Sequence, residues 1–130
     1  MAVTIGLIVK SLDRPEESRA PSERGRVEMV TLGDTTVARA VFQPGWRWSV
    51  DVKPAAGTDL CGVAHTGYVV SGRERVLMAD GTEVELKPGD AFVIAPGHDA
   101  WVVGDEPCVT LDFSGNAPQI GAPAGEREDR

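Results

Sequence analysis

Apolar and polar positions alternate with a period of two through much of this chain, and Gly- or Pro-containing turns interrupt the alternation at short intervals. That pattern predicts strands rather than helices. Val3 to Val9 is rich in β-branched residues and reads as a buried strand. Ser11 to Arg26 is polar, carries Pro15 and Pro21, and reads as loop, with room for one helical turn after Asp13. Val27–Leu32 and Thr35–Phe42 flank Gly33-Asp34 as a hairpin would. After a turn at Pro44-Gly45, Trp46, Trp48, Val50 and Val52 alternate with Arg47, Ser49, Asp51 and Lys53. This predicts a further strand with both indoles on one face, packing the core or lining a pocket.

Pro54 to Thr58 reads as a loop and Cys61 to Ser71 as a strand. Glu74 to Met78 and Glu83 to Leu86 flank Asp80-Gly81, a strong short-range hairpin signal. Lys87-Pro88-Gly89-Asp90 suits a type II turn. Phe92–Ala95, Trp101–Val103 and Cys108–Phe113 are the remaining strands, separated by turns at Pro96-Gly97 and Gly104-Asp105. Eight or more short strands at such spacing point to an antiparallel sandwich or barrel over residues 27–113. Residues 1–26 are then a strand and polar arm, and 114–130 a Gly-, Pro- and charge-rich tail, expected to be mobile unless docked.

A chain of 130 residues is long enough for one apolar core without disulfide or metal support. The formal charge of −7 argues against nucleic-acid binding, which needs clustered Lys and Arg. No apolar run approaches the ~18 residues of a membrane span, and no signal-peptide pattern opens the sequence. Two cysteines without such a pattern suggest free thiols in a reducing cytoplasm. Cys108 reads as a buried thiol rather than a disulfide partner, and Asp112, in step with Thr110 and Cys108, faces either solvent or a cavity. Glu74, Glu83 and Glu85 read as a solvated strand face, with Arg73 and Arg75 in surface ion pairs. No Ser-His-Asp order, G-x-S-x-G elbow, P-loop or dinucleotide fingerprint is present.

Residues 57–101 resemble the cupin superfamily, whose first motif runs G-x5-H-x-H-x3–4-E-x6-G and whose second runs G-x5-P-x-G-x2-H-x3-N. Gly72, preceded by Tyr68-Val69-Val70, matches the end of the first; Gly89, followed by Asp90, and Gly97 match the second. The 16 residues between Gly72 and Gly89 hold the Asp80-Gly81 hairpin, as in a minimal cupin. The resemblance implies an all-β, antiparallel jelly-roll barrel, a homodimer, and a pocket lined by Trp46, Trp48, Tyr68, Phe92 and Trp101. The usual metal ligands are absent: Asp59 and Cys61 fall on the two histidines, His65 on the glutamate and Ala100 on the last histidine. The second motif's proline and asparagine fall on Ala95 and Gly104, and the first motif's leading glycine on Lys53.

Asp59, Cys61 and His65 have one parity and share a face on an unbroken strand. His98 follows the Pro96-Gly97 turn and is near enough in sequence to Ala100 to reach the same cavity. Cys61, His65 and His98, with Asp59 as a further candidate, make a borderline-soft donor set that fits zinc best and Fe(II) next. Three protein ligands leave a coordination position open. The competing expectation is structural: Cys61 as a small buried hydrophobe, His65 as a hydrogen-bonded core residue and His98 as part of a turn. At ~3.3 Å rise per residue, Cys61 and His65 on a straight strand stand more than about 10 Å apart, so a shared site requires the strand to bend. If the protein is an enzyme, the resemblance implies metal-dependent oxygenation, isomerisation, cyclisation or hydrolysis of a small organic acid or polyketide-like substrate. Asp59 or His98 would then serve as acid or base. The alternatives are a metal-free binding or sensing module and a protein-interaction domain working through its acidic surface.

Overall fold

The computed structural model describes residues 6–116, which form two antiparallel sheets facing each other. The larger sheet holds six strands: β1 (Glu17–Ser22), β2 (Gly25–Leu32), β3 (Thr35–Phe42), β9 (Cys108–Asp112), β4 (His65–Ser71) and β7 (Ala91–Ile94), in that spatial order. The smaller holds β6 (Glu83–Leu86), β5 (Arg73–Met78) and β8 (His98–Val103). The hairpins at Gly33 and Asp80-Gly81 are both present, with Leu32 opposite Thr35 and Leu77 opposite Glu83. Residues alternate inward along each strand, so Val27, Met29, Ala38, Ala40, Phe42 and Val69 from the large sheet meet Val76, Leu86, Ala100 and Val102 from the small one. The layered all-β architecture expected from the alternation is therefore what forms.

Four local expectations are corrected. Trp46–Lys53 is not a strand: Trp48–Asp51 and Lys53–Ala56 form two single-turn helices, α1 and α2. Trp48 and Val52, four residues apart, are buried, whereas Val50 is 57% exposed. Two side-chain acceptors, one remote and one local, select this conformation: the Asp99 carboxylate accepts from the Ser49 amide at 3.0 Å, and Asp51 of α1 itself accepts from the Arg47 amide at 2.8 Å. Both satisfy helix N-terminal N–H groups that a strand would have spent on a neighbour. Ser11–Arg26 is not all loop, because Glu17–Ser22 adds to the exposed edge of β2, where a charged strand is tolerated. Residues 12–13 make only a turn, and no helix follows Asp13. Of the expected strand Val3–Val9, residues 3–5 lie outside the described residues; residues 6–10 pair with no strand, and Leu7 and Val9 are exposed. Of the expected tail, 117–130 lie outside the described residues, while its first residues are tied to the barrel: Asn116 Nδ2 donates to the Ala64 carbonyl at 2.9 Å.

Two glycines permit close approaches around the cavity. A Cβ on Gly67 would lie 2.1 Å from the Leu111 carbonyl oxygen and 2.8 Å from the Phe92 ring. Gly72 combines φ +74° with a Cβ position 2.1 Å from the Pro107 carbonyl oxygen, so both conformation and space demand glycine at this turn.

Candidate metal centre

Cys61, His65 and His98 come together inside the barrel, with one ligand atom from each lying within 4.8 Å of the others. The strand expected to run from Cys61 bends: β4 begins only at His65, and residues 62–64 belong to no strand. Cys61 pairs instead with the start of β8, its amide donating to the His98 carbonyl at 2.8 Å and its carbonyl accepting from Gly97 at 2.7 Å. The bend brings Cys61 Sγ to 3.8 Å from His65 Nε2. The separation that a straight strand would impose is thus removed by one irregular tripeptide.

Both imidazoles are held in one orientation. His65 Nδ1 lies 2.8 Å from Asp112 Oδ2, and His98 Nδ1 lies 2.7 Å from the Ala95 carbonyl oxygen. A carboxylate and a carbonyl only accept here, so each Nδ1 donates and each Nε2 is the nitrogen left for another partner. Asp112 is itself fixed by the Ser114 amide and hydroxyl, at 2.8 and 2.6 Å. A carboxylate behind a histidine is the usual support of a metal-binding imidazole.

The charge balance suits a cation. Burial alone would push the Cys61 thiol up, but hydrogen bonds and positive charge from His65 and His98 outweigh it and bring the thiol below its ordinary range. Burial alone would lower His65, but Asp112 and Cys61 hold it above its ordinary range. The same His65 contact keeps Asp112 ionised despite its burial. The protein by itself therefore stabilises a thiolate beside an imidazolium, and a divalent cation can take the place of that shared proton. Tetrahedral zinc with one sulfur and two nitrogens needs ligand atoms roughly 3.3–3.6 Å apart. The 3.8 Å Cys61–His65 separation meets this with little movement. The residues present fit the group.

The site opens on a cavity of about 60 Å³ whose walls include Trp46, Trp48, Phe42, Phe92, Ile94 and Ala100. Trp46 stacks on Phe42, with ring centroids 3.9 Å apart. Trp48 is placed by the Asp99 and Asp51 contacts that fold α1. Three of the five expected pocket residues, Trp46, Trp48 and Phe92, line the cavity. Tyr68 does not: it is 41% exposed, because it has the opposite parity to inward-facing Gly67 and Val69. Trp101 is likewise turned outward on β8, where the Arg47 guanidinium covers its ring at 4.4 Å. Asp59 is not at the centre either; its carboxylate is almost fully exposed and pairs with Lys53 at 3.3 Å.

Two cavity groups went unrecognised or undecided in the sequence. Asp112 faces inward and supports His65. Glu74 is 7% exposed and lines the cavity, rather than joining Glu83 and Glu85 on the solvated face. Burial raises its carboxyl to about 7, partly offset by the charges of His65 and His98 and by a 3.8 Å contact from Cys108 Sγ. The signal was available: Glu74 shares parity with Val76 and Met78, whereas Arg73 and Arg75 share the other face, where they pair with Glu85 and Glu83. Cys108 is fully buried and unbridged, and burial together with Glu74 pushes its thiol up.

Residues 62–114 match the family model described as Cupin domain. The match covers less than half of the chain, and the fold is similar to that of cupins. The fold is similar to that of an RmlC-like cupin from Shewanella frigidimarina, at 16% identity over 85% of this chain and 94% of that one, with a TM-score of 0.57. It is also similar to a protein of unknown function from Acidithiobacillus ferrooxidans, at 24% identity over 77% and 88%, TM-score 0.57. A third similar structure is the oxalate decarboxylase of Lactobacillus farciminis in complex with formate, at 20% identity over 85% of this chain and 33% of that one, TM-score 0.58. No curated protein matches the sequence.

Proposed function

We propose that this protein is a metal-dependent enzyme acting on a small organic molecule, with one divalent metal held by Cys61 Sγ, His65 Nε2 and His98. The single observation that carries this reading is the meeting of three ligand atoms within 4.8 Å, two of them on imidazoles whose other nitrogen is already occupied. Zinc is the metal the thiolate–imidazole set favours, with Fe(II) next. When bound, such a metal polarises a carbonyl or activates a water in the position the three ligands leave open. The residues of the chain divide the remaining tasks. Asp112 keeps His65 oriented and its Nδ1 protonated; the Ala95 carbonyl does the same for His98. Trp46, Trp48 and Phe92 exclude bulk water from the cavity and set its shape. A structural role for these residues does not require both imidazoles to present their second nitrogen to a thiol.

The similarity to an oxalate decarboxylase is one of fold and does not fix the reaction, since one fold hosts many. We also propose that the protein acts as a homodimer in the cytoplasm; Val84 on β6 and Val93 on β7, both exposed at open sheet edges, supply an apolar strip for the contact. No helix among the described residues is long and apolar enough to cross a membrane. Reconstitution with Co(II) tests the metal reading. A thiolate-to-metal charge-transfer band that is lost in Cys61→Ser supports it; a Co(II) spectrum lacking that band in the wild type overturns Cys61 as a ligand.

A further inference from the structure

The barrel leaves one sheet face and one groove uncovered. On the larger sheet, Tyr68 and Val70 of β4, Val93 of β7 and Phe113 just past β9 turn away from the core and are each at least 41% exposed. They lie side by side: Tyr68 pairs with Leu111 and Ala91, Val93 pairs with Thr66, and the Phe113 amide donates to the Thr66 carbonyl. β6 and β7 each end their sheet, with no further strand beside them among the described residues. Between them runs a groove of about 510 Å³, walled by Val76, Met78, Val84, Leu86, Phe92 and Ile94 and bearing no charged side chain. A free strand edge beside such a groove offers unpaired N–H and C=O groups to a further strand. Phe92 and Ile94 also wall the metal cavity, so whatever fills the groove backs that wall.

The chain itself carries a segment of matching chemistry. Ala2–Val9, AVTIGLIV, has no charged side chain and is rich in β-branched residues. From Gly6 onward, its described part, it pairs with no strand; Leu7 and Val9 are 83% and 81% exposed, and Ile8 between them is partly covered. The root of this arm is fixed, because Arg39, on the outer face of β3, holds the Leu12 carbonyl at 3.2 Å and the Asp13 carboxylate at 3.0 Å. The chain's own β7 lies three strand spacings from β3, roughly 14 Å away. A second copy comes closer. A two-fold axis along β4, with the outer faces of two copies in contact, sets the strand order of one in reverse over the other. The second copy's β7 then lies over β9 of the first, and the next strand position past its free edge lies over β3, where the first copy's arm begins. The face needs the arms as well: its four side chains fall short of the roughly 20–30 residues a side that a stable interface uses.

We propose that a second copy of this chain covers this face, and that the arm of each copy, residues 2–9, adds as a strand to the β7 edge of the other, with Leu7 and Val9 in the groove between β6 and β7. This rests on the homodimer reading above and gives that dimer its geometry.

Analytical ultracentrifugation compares wild type with Leu7→Asp/Val9→Asp and with a chain lacking residues 2–9. Leu7 and Val9 are exposed in the single chain, so changing them spares its fold. Wild type is expected to be a dimer, and both variants to raise its dissociation constant at least about tenfold. Photoreactive p-benzoylphenylalanine in place of Leu7 then identifies what the arm touches. Irradiation is expected to double the chain's mass on a denaturing gel, with peptide mass mapping placing the crosslink within residues 76–95, which hold the groove. A monomeric wild type overturns the homodimer reading and the proposal with it. A dimer that both variants leave unchanged overturns the proposal alone. Crosslinks within single chains also overturn it, by making the chain's own arm the occupant, as do crosslinks between chains outside residues 76–95.

Discussion

Substituting Glu74 by Gln should stabilise the metal-free protein in a way that grows with pH. The Glu74 carboxyl is raised by burial from its ordinary 4.5 to about 7 in the folded protein. In the unfolded chain it ionises near its ordinary value. Between those two values the unfolded state has lost a proton that the native state still holds, so stability falls as pH rises across the window. The penalty is absent below about pH 4.5 and complete above about pH 7. At 1.36 kcal/mol per pH unit it reaches about 3 kcal/mol, with most of it appearing between pH 5 and pH 8. Gln has nearly the same shape and no charge to desolvate, so Glu74→Gln lacks the penalty and keeps the contact to Cys108. Urea unfolding of both proteins after chelator treatment, at half-unit steps from pH 5 to pH 8, measures the difference. The two stability curves should converge toward pH 5 and separate by about 2–3 kcal/mol at pH 8, with the variant more stable. Parallel curves over this range would refute the reasoning, because they would mean that Glu74 ionises alike in both states.

Further predictions follow from the same geometry. In metal-free protein at neutral pH, iodoacetamide should modify Cys61 faster than Cys108: both thiols are buried, but Cys61 lines the cavity and is lowered by its histidine neighbours, whereas Cys108 is raised; added zinc should suppress the reaction at Cys61, as peptide mass mapping would show. Gly72→Ala combines a positive φ with a Cβ 2.1 Å from a carbonyl oxygen and should cost at least about 3 kcal/mol in chemical denaturation, whereas Gly89→Ala, with positive φ but open space, should cost about 1 kcal/mol. Asp59→Ala should leave metal stoichiometry unchanged by elemental analysis, since its carboxylate is exposed and paired with Lys53. Val93→Asp should shift a dimer to monomer in analytical ultracentrifugation, and an unchanged sedimentation coefficient would remove the β7 edge from the interface.

The strands were legible wherever alternation and a turn residue agreed, as around Gly33 and Asp80-Gly81, because both signals are local. Trp46–Lys53 misled for the opposite reason. Its alternation is real, but Asp99, fifty residues away along the chain, supplies the acceptor that turns it into a helix. The donor set Cys61, His65 and His98 was legible from residue type and motif spacing, while its assembly was not, since it depends on the break in pairing at residues 62–64. Asp59 was wrongly joined to that set by parity, which has no meaning where the strand is broken. Glu74 was hidden by its company: two arginines and two further glutamates made the segment look solvated, although the alternation itself placed Glu74 with Val76.

Metal content is the measurement that bears most directly on the central claim. Protein purified without a histidine tag and without added metal is analysed for zinc and iron, wild type beside His65→Ala. Near one equivalent of zinc or iron in the wild type, lost on substitution, is the predicted result. Wild-type protein that holds no metal, even after incubation with zinc and with Fe(II), would contradict the account.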